Sequence, residues 1–271
     1  MINKMQAAII KKDFQGIIAN KRMFSVLLIV PLLMTVIIPT IFILTTQFSP
    51  IDEVEKMAKM LDSAGLIDNN FDAEGLQQNV TSMLLNYILP LFFLLIPIMA
   101  SSVMAANSFV GEKEKNTLET LLYSPLPLKE IFGAKILASF FLSMAVSVFS
   151  FIIMMIIIQT ELFFLTGSFV MLNINWLIVM FLVSPSVALL AINLIVRGSA
   201  KSQSSEESQQ RSVFLILPII LLVAGQFTGI MLLSAWLFLA IGAAVAAVAL
   251  FMFRGHFSKF HYENILDTLR A

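Results

Sequence analysis

The chain has no cysteine among its 271 residues, which excludes disulfides and thiolate metal centres but leaves the compartment open. Charge is scarce too. Asp, Glu, Lys and Arg make up 13% of the residues, against 59% hydrophobic, and mean hydropathy is +0.92. So little polar surface cannot coat a soluble globule of this size, so an integral membrane protein is expected. Formal net charge is zero, so the argument rests on where the charges lie, and no nucleic-acid partner is expected. There is no G-x-x-x-x-G-K-[ST] string and hence no P-loop of the chain's own. A nucleophile elbow is absent, and the serines lack a plausible base. The two histidines, His256 and His261, lie in the C-terminal tail without a carboxylate at metal-ligand spacing and read as juxtamembrane residues. No catalytic, cofactor-binding or metal site is therefore expected.

What is present is a series of charge-free apolar runs at 23–47, 83–111, 136–160, 162–196 and 212–253. A bilayer core of about 30 Å needs roughly 20 residues of helix. The last run is long enough for two helices, with a turn in "AGQFTGIMLLS" at 224–234. The 162–196 run begins with the softer "LFFLTGSF" and is expected to span only from Ile174. Six spans result, near 24–46, 84–108, 134–158, 174–196, 212–230 and 234–253. The first run lacks a small-x-small cleavage pattern and reads as an uncleaved span.

The 17 Lys and Arg set the orientation. With both termini in the cytoplasm, 15 lie inside; only Lys56 and Lys59 fall outside, in a loop over 48–82 that carries Asp52, Glu53, Glu55, Asp62, Asp68, Asp72 and Glu74. Within that loop, apolar residues at 51, 54, 57, 60/61 and 64 predict a short amphipathic helix; an acidic linker is the alternative. Residues 1–22 read as an interfacial helix with Lys4, Lys11, Lys12, Gln15 and Arg22 along one arc. Asp13 falls among its apolar residues and breaks the pattern. A plain basic flank is the alternative.

The spans read as free of Asp, Glu, Lys, Arg and His, which counts against an ion-coupled carrier. They carry Pro31, Pro39, Pro90, Pro97, Pro185 and Pro218. Each removes a helical hydrogen bond and favours a kink. Asn193 and Gln226 are the most polar intramembrane residues. They are candidates for lining a translocation path, and interhelical hydrogen bonding explains them equally well.

Between spans two and three lies the charged stretch "GEKEKNTLETLLYSPLPLKE", 111–130. Leu118, Leu121 and Leu122 form one stripe of a short helix that Pro125 and Pro127 end, while Glu112, Glu114 and Glu119 lie off that stripe. A leucine-faced, carboxylate-bearing helix tethered at both ends suits docking into a groove on a soluble protein.

The string "GEKEKNTLETLLYSPLPLKEIFGAKIL" resembles the signature of the type-2 ABC exporter permeases. Glu112, Glu114, Thr117, Leu118, Glu119, Leu121, Leu122, Pro125, Glu130 and Lys135 match it. Asn116 and Ala134 stand where glycine is usual. The resemblance extends over the chain: entry helix, six spans, the polar "SAKSQSSEESQQRSVFLILP" before span five, and a tail near "YENIL". It implies an all-α permease domain over 1–271 in the plasma membrane of a bacterium. It also implies a coupling helix at 111–130, with Glu112, Glu114, Thr117, Leu118, Glu119, Leu121 and Leu122 at the contact. The implied partners are a second permease chain, as a homodimer, and a separate ATPase that holds ATP and magnesium. The expected function is export of a hydrophobic or amphipathic substrate such as a peptide, drug or lipid-like molecule. The alternatives are sodium efflux by the same class, and an ion-coupled secondary transporter.

Overall fold

Among the described residues, six stretches are both helical and apolar enough to cross a membrane: Met23–Phe48, Gly75–Glu114, Lys129–Thr166, Ile174–Gly198, Ser205–Gln226 and Ala235–Arg254. The computed structural model describes residues 4–62, 73–114, 127–199, 202, 204–210, 213–227 and 235–259; all regular structure among the described residues is helical. A helix, α1 (Lys4–Ala19), precedes span one, and Asn20 caps the start of span one by accepting a hydrogen bond from the Met23 amide. The acidic loop holds a helix, Ile51–Asp62, as its apolar spacing predicts. Its buried Val54 and Ala58 pack against Val80 and Leu84 at the start of span two.

Spans two and four form the middle of the bundle. In its most apolar stretch span two is 78% buried and span four 56%, against 33% or less for the others, so the outer faces of spans one, three, five and six are left for lipid. Span two can be central because its middle is built of small residues. Ala100, Ser101, Ser102, Ala105 and Ala106 are all buried, and such residues let neighbouring backbones approach closely. Span three answers with Ser139, Ser143, Ser147 and Ser150, all buried on one face.

Span three is longer than its charge-free run. It continues unbroken from Leu128 to Thr166 and ends at Gly167, whose φ of 66° is a left-handed cap that donates its amide to the Phe163 carbonyl. Glu161 lies inside this helix, as does the buried Lys135, so the expectation of spans without ionisable residues is corrected. The Glu161 carboxylate accepts a hydrogen bond from Thr40 of span one at 2.5 Å. Span four starts at Ile174, as expected.

The prolines act in two ways. Pro31 and Pro39 sit inside a continuous helix, Lys21–Phe48. Pro90 and Pro185 each follow a π-helical turn, Leu84–Ile88 and Val179–Val183, by two residues. Pro90 has no N–H, so it cannot satisfy the carbonyls one turn before it. Those carbonyls are met from span four: the Trp176 indole donates to Leu85 at 3.1 Å and the Asn175 amide to Asn86 at 3.3 Å. The Asn86 side chain in turn accepts from the Asn173 amide at 2.9 Å and donates to the Met171 carbonyl at 3.3 Å, fixing the link into span four. The second π-turn lies against Gly242 of span six. A Cβ there would stand 2.9 Å from a Leu182 methyl and 3.1 Å from Val183, so any larger residue would have to displace the Leu182 side chain where the two helices meet.

Candidate functional site

The charged stretch between spans two and three leaves the bundle through the last turn of span two, and that turn is pinned from two sides. Glu112 is buried, and its carboxylate meets Lys135 of span three at 2.8 Å and Lys12 of α1 at 2.9 Å. Lys135, only 2% exposed, donates to the Ser108 carbonyl at 2.6 Å and lies 3.8 Å from Asp13 of α1. Asp13 accepts from the Ser108 hydroxyl at 2.6 Å. The Lys135 ammonium also sits 5.7 Å from the centre of the Phe109 ring. Two carboxylates and two ammoniums thus balance in one small volume, which is what burying them requires.

The residue that breaks the entry-helix pattern is explained here. Ile9, Asp13 and Ile17 follow one another at four-residue spacing on α1, and Ile9 and Ile17 are buried against the bundle. Asp13 occupies the same face because a buried lysine waits opposite it. Burial pushes its carboxyl above the ordinary 3.8, while Lys135 and the Ser108 hydrogen bond oppose that shift. Phe14 and Ile18 point outward, so α1 presents one apolar face to the protein and another away from it.

On the second side, Glu114 accepts from the Ser205 amide at 3.2 Å and from its hydroxyl at 2.8 Å. It thereby holds the start of the short helix Ser205–Gln210 against the end of span two. Gly111 lies at this contact, where a Cβ would stand 3.4 Å from the Ser205 hydroxyl, an ordinary van der Waals distance, and would displace only the Asn107 side-chain oxygen at 2.9 Å.

The family comparison can be set beside this geometry. A model of the ABC-2 family transporter protein matches residues 7–253. The chain belongs to this family. The ABC-2 match starts inside α1 and ends one residue before the end of span six, so it takes in most of the entry helix, spans one to five and nearly all of span six. ABC-2 chains are membrane subunits that typically work with an ATP-binding subunit, and this one is accordingly a multi-pass membrane protein of a transport system. No curated protein matches the chain significantly, and no solved structure does so either.

The structure places the expected site residues unevenly. Glu112 and Glu114 are brought to the two anchors just described, whereas Thr117, Leu118, Glu119, Leu121 and Leu122 lie outside the described residues. Asn193 is wholly buried and donates its side-chain amide to the Ala249 carbonyl of span six at 3.1 Å. Gln226 is buried near the end of span five. Sequence reasoning missed Asp13, Ser108 and Ser205. Asp13 gave a signal, a lone carboxylate on an apolar face, but the two serines gave none.

Proposed function

We propose that the chain is the permease subunit of an ATP-binding-cassette exporter, and that 111–130 is its coupling segment, resting on a separate ATPase that binds ATP and magnesium. The observation that carries the reading is the double anchoring of the stem at Glu112 and Glu114. Force applied to the loop beyond Glu114 reaches α1, span three and the start of span five at once, because those three elements hold the two carboxylates. A plain interspan linker has no need of such a junction. The charge distribution supports cytoplasmic termini, which puts the coupling segment on the side where ATP is found. Two permease chains with two ATPases form the working unit. An apolar bundle favours hydrophobic or amphipathic cargo moved outward.

The test is purification of the tagged chain from its own host in mild detergent, with mass spectrometry and an ATPase assay on the eluate. A stoichiometric P-loop ATPase is expected, and Leu121→Asp should remove it by placing a charge in an apolar contact. A chain that elutes alone without nucleotide hydrolysis would refute the reading.

A further inference from the structure

The outer end of span two has different neighbours on two faces of one irregular turn. Leu84 and Ile88, the first and last residues of the π-turn, are buried in a cluster with Val54 and Ala58 of the external helix Ile51–Asp62. Leu85 and Leu89 are buried instead in the main core, with Trp176 of span four. The turn is thus both the seat of the external helix and a contact with a central span.

The backbone of this turn has a second way to close. In the observed register the Leu89 amide donates to the Leu84 carbonyl, five residues back. The Leu85 carbonyl would then need an N–H at residue 90, which is proline, and the Trp176 indole supplies the donor instead. In an α-helical register the same Leu89 amide reaches Leu85, four residues back, and the indole loses its acceptor. There the Asn86 carbonyl faces the Pro90 ring, which disfavours this form, but the Asn175 amide already meets that carbonyl. Span four is therefore equipped for both registers: Asn175 serves either, and Trp176 only the one observed. The observed one is also incompletely satisfied, because Asn175 Oδ1 is buried without a hydrogen-bond partner among the described residues.

We propose that the turn is a two-register switch, exchanging between the observed π form and an α form, and that the external helix Ile51–Asp62 is a lid carried by it. Closing the turn returns its extra residue to the helix, so the segment outside it rotates by about 100° and moves by about 1.5 Å relative to the rest of span two. Val80, Met83 and Leu84, which share the buried cluster of Val54 and Ala58, belong to the moving side. The lid swings with them, and the 2.7 Å hydrogen bond that Thr81 donates to Thr46 of span one is given up. The switch depends neither on the coupling role of 111–130 nor on the cargo.

The experiment uses the full chain in lipid nanodiscs with spin labels on Lys56→Cys in the lid and Thr160→Cys in span three, both exposed positions. Dilution with unlabelled chain lets pulsed EPR read distances within one chain. Two variants push the turn toward the α form by different routes: Pro90→Ala removes the ring that crowds the Asn86 carbonyl there, and Trp176→Phe removes the donor that Leu85 needs in the π form. Both should move the distance distribution in the same direction by several ångströms, while Pro218→Ala in span five leaves it unchanged. No movement in either variant, or movements in opposite directions, would overturn the switch. An equal movement in Pro218→Ala would overturn it too, because any loosened span would then move the lid. A red shift of Trp176 emission in Pro90→Ala with the distance fixed would detach the helix from the turn and overturn its assignment as a lid.

Discussion

At the scale of single residues, Lys135 governs the ion cluster. Removing one partner from a buried charge network typically costs about 3–5 kcal/mol, because the remaining charges stay desolvated. Lys135→Met should therefore lower the thermal midpoint in detergent sharply. Adding Asp13→Asn and Glu112→Gln should recover much of the loss; no recovery would mean that Lys135 matters for packing rather than charge. Asp13 adds a pH dependence whose sign follows from its environment. Its carboxyl is raised above 3.8 in the folded chain, chiefly by burial, so the folded state holds the proton more tightly than the unfolded state does. Its destabilising burial is complete above the folded value and is relieved as pH falls toward 3.8. Set against the cost of the lost pairing with Lys135, Asp13→Asn should therefore compare more favourably with the parent at neutral pH than in mild acid; thermal midpoints of both proteins across that range check it. The sequence marked Asp13 as an anomaly and Lys135 as a motif residue, but their pairing is tertiary, across more than a hundred residues, and no local pattern encodes it.

At the scale of elements, the π-turns and their partners carry the argument. Pro90→Ala restores an N–H that can compete for the Leu85 and Asn86 carbonyls, so the turn before it should tighten and release Trp176. The chain has two tryptophans, and Trp236 is largely exposed while Trp176 is buried. In a Trp236→Phe background the emission of Trp176 should shift to the red when Pro90 is replaced; an unchanged spectrum would show that span four holds the indole without the carbonyl. Gly242→Val should destabilise by roughly 1–3 kcal/mol through overpacking against Leu182 and Val183. Leu182→Ala should offset part of that loss, as unfolding of the double variant would reveal. The helices themselves were largely legible: span four starts at the expected residue, and the amphipathic loop helix follows from its apolar spacing. Span three was not, because a charge at Glu161 reads as the end of an apolar run, whereas a helix stops where its carbonyls find a cap, and Gly167 supplies that cap.

At the scale of the whole molecule, the absence of cysteine makes any introduced one unique. Cysteine at Asp68 should react with an impermeant thiol reagent from outside intact cells, and cysteine at Lys113 only after the membrane is opened; the reverse pattern would invert the orientation. Six-span architecture was readable because hydrocarbon thickness sets helix length directly, while the order of burial was not, since the central spans two and four are less hydropathic than the exposed spans one, three and six. Span three joins the two ends of this architecture. It contains no proline, and its helix is continuous past Lys135 and Glu161. These positions are 161 − 135 = 26 residues apart, or about 39 Å at 1.5 Å per residue. A rod without a joint is a lever: a tilt of about 5° centred on Lys135 displaces Glu161 by about 3 Å over that length, enough to part it from Thr40. The ion cluster at one end and a single hydrogen bond at the other are thereby a fulcrum and a pointer.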